Sequence, residues 1–119
     1  MPNNYQYNKN SYRNFKYNNL NFYADISDYM AHYIYFGFKD LSLENMLNYI
    51  KPNDVIIDVG TNIGCSLLNF ANKTGSGGKV YGFEPDSYNF TICKKNISLN
   101  TLKNIELHNI GLGNEQGKF

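Results

Sequence analysis

Apolar and polar positions along the second half of the chain change period several times. Val55, Ile56, Ile57 and Val59 form a nearly continuous β-branched run between Pro52-Asn53-Asp54 and Gly60. Such a run predicts a short strand covered on both faces. From about Asn62 to Lys73 the period lengthens: Ile63, Leu67 and Phe70, with Leu68 and Ala71 beside them, share one helical face. Thr74-Gly-Ser-Gly-Gly78 breaks that helix, and Val80-Tyr-Gly-Phe83 reads as a second strand. Asp86 is placed to cap a further helix with Phe90, Cys93 and Ile97 on one face, ending near Asn100; Ile105-Glu-Leu-His108 supplies a third strand. Upstream, Leu43, Met46, Leu47 and Ile50 predict an amphipathic helix capped by Asp40 or Ser42. Ile26, Tyr29, Met30 and Tyr33 suggest a weaker one before it.

Strands that alternate with helices predict an α/β, Rossmann-like architecture with a parallel sheet. Crossover helices of this length make the strands parallel, so their ends open on the same sheet edge, and ligands bind there. Two acids sit at such ends, Asp58 and Glu84, and the first leads into Gly60-Thr-Asn-Ile-Gly64. Gly60 ends the strand where a side chain would block a ligand's approach to the backbone, and Gly64 permits close packing of the helix. Asn62 tolerates a left-handed backbone and adds a polar side chain. Free N–H groups at the helix start are expected to face the ligand. Asp58 is placed to hold the loop or an ammonium beyond it, and Glu84 lies in the interval where an acid accepts hydrogen bonds from a ribose diol.

A pyrophosphate fits this loop poorly. Asp58 adds negative charge beside it, and the spacing is Gly-x-x-x-Gly rather than Gly-x-Gly-x-x-Gly. A positively charged nucleoside such as S-adenosylmethionine suits an acid at both strand ends better.

Four motifs, Asp58-Val-Gly-Thr-Asn-Ile-Gly64, Gly82-Phe-Glu-Pro-Asp86, Asn96-Ile-Ser-Leu-Asn100 and Gly111-Leu-Gly-Asn-Glu-Gln-Gly117, resemble in order and spacing the FkbM-type S-adenosylmethionine-dependent methyltransferases. The resemblance spans roughly residues 40–119. It implies a class I methyltransferase fold, with Asp58, Gly60, Asn62 and Gly64 beside the methionine part of the cofactor and Thr61 among the cofactor-binding residues. It also implies that Glu84 binds the ribose hydroxyls and that Pro85 and Asp86 shape the adenine edge. The activity implied is O-methylation of a hydroxyl on a sugar or other small molecule. Only the first three parallel strands of the family's sheet are expected here, so residues 24–119 read as the N-terminal, cofactor-binding half of such a domain, and no catalytic residue is named. Two other readings stand beside it: a non-catalytic remnant or interaction module, and a fragment of an NAD-dependent oxidoreductase, whose glycine pattern is missing. The open edge of the first parallel strand is expected to expose apolar surface and favour self-association.

The first 23 residues read as a disordered tail, because Pro2 to Asn21 is dominated by Asn, Tyr, Lys and Arg. Lys9, Arg13 and Lys16 stand among aromatics there, a pattern that suits single-stranded nucleic acid. With a formal net charge of +1 over 119 residues and the same composition throughout the chain, a nucleic-acid partner is not expected. Cys65 and Cys93 lack CxxC spacing and His32 and His108 are isolated, so neither a disulfide nor a metal is expected. The N-terminus shows no secretory pattern and the chain no apolar membrane span, and thiol cysteines with a nucleoside cofactor point to the cytoplasm.

Overall fold

The computed structural model describes residues 2–113. After a 3-10 turn at Asn4–Gln6 come β1 (Tyr12–Tyr17), β2 (Leu20–Asp25), α1 (Tyr29–Tyr35), α2 (Leu41–Leu47), β3 (Val55–Val59), α3 (Cys65–Thr74), β4 (Lys79–Phe83), α4 (Ser87–Ser98) and β5 (Ile105–His108). The last three strands make a parallel sheet in the order β3-β4-β5. The predicted α/β alternation is therefore present. The caps follow their predicted chemistry: Asp40 Oδ1 accepts from Leu43 N–H and Asp86 Oδ2 from Asn89 N–H.

The N-terminal segment corrects the expectation of a disordered tail. Strands β1 and β2 form an antiparallel hairpin, with Phe15 opposite Phe22 and Tyr17 opposite Leu20. Its turn is Asn18-Asn19, both left-handed at φ 51° and 64°, the backbone that tight hairpins require and that Asn tolerates. Along β2, Leu20, Phe22 and Ala24 alternate inward and are all buried, Phe22 with no exposed surface. They join Leu43, Leu67, Leu68, Val80 and Cys93 in one core. Burying an aromatic and several aliphatics gains about 1.5–3 kcal/mol for each large side chain, which is enough to order a segment whose composition looks like a linker.

The hairpin is fastened to α4 by two asparagines. Asn96 is completely buried: its Oδ1 accepts from Tyr23 N–H at 2.7 Å, and its Nδ2 donates to the Ile63 carbonyl at 2.8 Å. Asn100 Oδ1 accepts from Asn21 N–H and its Nδ2 donates to the Asn21 carbonyl. Sequence alone reads both as helix-end caps or solvent-facing residues; instead they bridge separate parts of the fold.

Strand β3 departs from expectation in a second way. Ile56 packs toward the core, but Val55, Ile57 and Val59 are 70%, 64% and 63% exposed. Helix α3 covers one face of the strand, and among the described residues nothing covers the other. Its outer edge likewise pairs with no strand among them.

Candidate functional site

The loop from β3 to α3 is shaped by backbone conformation. Gly60 has φ +75°, Asn62 +54° and Gly64 +102°, so three turns into the left-handed region occur within five residues. The asparagine stands where its tolerance of that region is needed. A Cβ on Gly60 would meet nothing within 4 Å, whereas one on Gly64 would lie 2.9 Å from Cys93 Sγ and 3.0 Å from Leu68 Cδ1. Gly60 therefore leaves space open, and Gly64 permits a close approach of α3 to α4.

The loop's amides do not have the expected freedom. Gly60 and Thr61 N–H donate to the Phe83 carbonyl at 2.8 and 3.3 Å, Asn62 N–H to Glu84 Oε1 at 2.8 Å, and Gly64 N–H to the Thr61 carbonyl at 2.9 Å. This corrects the picture of free amides: the first three hold the loop against the end of β4, and the fourth closes a turn within the loop. What remains is the first turn of α3, which has no side-chain cap because its N-cap is Gly64.

Glu84 is 5% exposed, and its second carboxylate oxygen accepts from Asp86 N–H at 3.0 Å. It ties the β3–α3 loop to the β4–α4 loop. Asn109 adds to this joint, donating through Nδ2 to the Glu84 carbonyl at 2.8 Å and the Pro85 carbonyl at 3.2 Å. Asn89 Nδ2 reaches Asn62 Oδ1 at 3.0 Å. Asp58 accepts from Ser66 Oγ at 2.7 Å, and burial raises its carboxyl above the usual range, partly offset by that hydroxyl.

Beside the loop lies a cavity of about 790 Å³. One wall is Gly60, Thr61, Asn62, Ile63, Cys65 and Ser66, with Tyr88 and Asn89 at the start of α4. The rest of the lining comes from the N-terminal segment and includes one cation and three carboxylates: Lys9, Asp25, Asp28 and Asp40, with Met30 and Ile34. Asp58, Glu84, Pro85 and Asp86 do not line the cavity; they stand behind it or beside it and position what does. Of the residues singled out from sequence, Gly60, Thr61 and Asn62 line the cavity directly.

Sequence reading missed Asp40 as a wall residue, and Asn96 and Asn109 as structural bridges. For Asn96 a signal exists: it follows Cys93 by three positions and so falls on the buried face of α4. Nothing local marks Asn109.

Burial favours the protonated form of the cavity-lining thiol. Burial first, then the charges of Asp40 and Glu44, push Cys65 up to about 12, and burial lifts Cys93 to about 11. Both stay protonated near neutral pH, as nucleophilic thiols do not.

The residues present fit a nucleoside carrying positive charge better than a dinucleotide. Three carboxylates, Asp25, Asp28 and Asp40, line the cavity against one ammonium, Lys9, an excess of negative charge that complements a cation better than a pyrophosphate. The volume falls within the usual range for small-molecule sites of roughly 300–1,000 Å³.

Comparison with known proteins agrees with this geometry. The model of the methyltransferase FkbM domain matches residues 58–119, about half of the chain. A ribosomal protein L11 methyltransferase of Carboxydothermus hydrogenoformans is 33% identical over 63 residues, covering 53% of this chain and 20% of that protein. Among solved structures, P. horikoshii TYW2 in complex with MeSAdo superposes with a TM-score of 0.68 at 20% identity, over 88% of this chain and 38% of that one. A putative rRNA-methylase from Clostridium thermocellum gives 0.54 at 24% identity, over 60% and 39%. The chain thus spans about a fifth of the curated relative and under two fifths of these structures, which share its fold.

Proposed function

Because the chain belongs to the methyltransferase FkbM domain family, we propose that it forms the S-adenosylmethionine-binding part of a methyltransferase acting on a hydroxyl oxygen of a sugar or other small molecule. The observation that carries the cofactor reading is the cavity beside Gly60, lined by three carboxylates and one lysine. Gly60, Thr61, Asn62 and Gly64 form the loop against which the cofactor lies. Asp58 fixes Ser66 at the cavity wall, and Glu84 fixes the loop, its two oxygens accepting from Asn62 and Asp86 N–H. Pro85 and Asp86, held by Asn109 and by the cap of α4, set the rim.

When bound, the cofactor supplies a methyl group already activated on a sulfonium. The protein's work is then to orient the reactants and exclude water. The buried apolar wall of Ala31 and Ile34 excludes water from one side of the cavity. The small-molecule acceptor rests on the family resemblance, and the named rRNA and ribosomal-protein methyltransferases among the similar proteins make nucleic acid or protein the competing acceptor class. Among the described residues no helix is long and apolar enough to cross a membrane. A cytoplasmic site of action is part of the proposal, supported by two free cysteines.

Calorimetric titration of the chain with S-adenosylmethionine and, separately, NAD tests the cofactor reading. Saturable binding of the first alone is expected. Binding of NAD alone, or of neither by a folded sample, overturns it. Transfer of labelled methyl to RNA or protein but not to a panel of glycans would overturn the acceptor assignment.

A further inference from the structure

The cavity beside the glycine loop is lined by a carboxylate whose position is fixed and whose charge is nearly unengaged. Asp40 is the N-cap of α2, and its side chain takes one long hydrogen bond, from Leu43 N–H at 3.3 Å. Its own backbone N–H donates to Tyr17 Oη at 3.0 Å, and that hydroxyl donates on to Glu44 Oε2 at 3.1 Å. The buried end of β1 therefore holds the start of α2 in place. Neighbouring Lys39 does not neutralise Asp40: its ammonium is hydrogen-bonded to Asn18 Oδ1 and lies 4.6 Å from the centre of the Tyr17 ring.

We propose that Asp40 binds the α-ammonium group at the amino-acid end of S-adenosylmethionine; the assignment rests on the cofactor reading above. The other acids at the cavity are less suited. Asp25 already accepts from Asn10, Ser11 and Ser27 N–H groups, which hold the entry to the hairpin and the start of the α1 region together. Asp28 caps α1 and is exposed, where a charge pair is screened by water. Asp58 is outside the cavity, turned toward Ser66. Asp40 is half-buried and close enough to Cys65, the first residue of α3, for its charge to help raise that thiol. Asp40 lines the same cavity as Cys65 and Ser66 of the uncapped first turn of α3, whose amides suit the carboxylate of the same zwitterion. The two ends of a free amino acid thus have complementary groups in the lining of one cavity.

Asp40→Asn separates charge from capping, because Asn caps a helix as well as Asp does. Affinities of the full chain and of this variant are compared for S-adenosylmethionine, S-adenosylhomocysteine and 5′-methylthioadenosine. The second keeps the ammonium without the sulfonium; the third lacks the whole amino-acid end. The expected result is a loss of about tenfold for the first two, with the third changed by less than about twofold. Equal loss for all three ligands, loss for S-adenosylmethionine alone, or no loss overturns the assignment while leaving the cofactor reading intact. Failure of the unaltered chain to bind any of them overturns both.

Discussion

Gly60 opens onto the cavity and Gly64 onto Cys93 and Leu68, and substitution separates the two roles. Gly60→Ala places a methyl group toward the ligand and costs about 1–2 kcal/mol for a left-handed alanine. It is expected to abolish S-adenosylmethionine binding in titration while urea melting moves only modestly. Gly64→Ala meets the same backbone penalty and must also displace packed side chains, so a loss of about 3 kcal/mol or more is expected in the same melt. Asp58 gives a pH test. Burial raises its carboxyl in the folded chain, so the folded state holds this proton more tightly than the unfolded one. Its contribution to stability is greatest below the ordinary value of 3.8 and falls as pH rises through the raised value. The melting-temperature advantage of Asp58→Asn over the unaltered chain should therefore be larger at pH 7 than at pH 4; a constant difference would contradict it.

At the scale of elements, the hairpin and α4 depend on each other through Asn96. Asn96→Ala leaves Tyr23 N–H and the Ile63 carbonyl without partners in a dry interior, a cost of about 2–4 kcal/mol. Amide exchange should accelerate across β2 and the β3–α3 loop together, and acceleration confined to one of them would argue against the bridge. The parallel unit was legible because its signals are local: a β-branched run, a change of period, Gly60 and Gly64, and acids at both strand ends. The hairpin was not, although Leu20, Phe22 and Ala24 alternate around an Asn-Asn turn. Asparagine, tyrosine and lysine in such excess hide a period-2 pattern, and the segment's stability comes from partners 40 to 80 positions away, such as Leu67 and Asn100. The site was legible by half for a related reason. Sequence marks the residues that bend the loop, but not Asp40 in the cavity lining, since nothing local records which helix folds over which strand. The engaged amides were equally hidden, because their acceptors, the Phe83 carbonyl and the Glu84 carboxylate, arrive from another strand.

The described residues form a buried core and leave one apolar strand face uncovered. The core lies between the parallel sheet, its helices and the hairpin, while Val55, Ile57 and Val59 face outward on a strand that is at the sheet edge among the described residues. Such an edge recruits other chains. Sedimentation velocity is expected to show concentration-dependent self-association that is reduced by Ile57→Lys; a monomer at every concentration would contradict this. The joint at Glu84 has a further consequence, for the rate at which a small molecule is captured. With its oxygens satisfied by Asn62 and Asp86 in the ligand-free chain, the loop has no folding step left to complete at encounter. Observed association rates in stopped flow should then rise linearly with ligand concentration and show no plateau, the signature of a receptor that meets its guest already in the receiving shape.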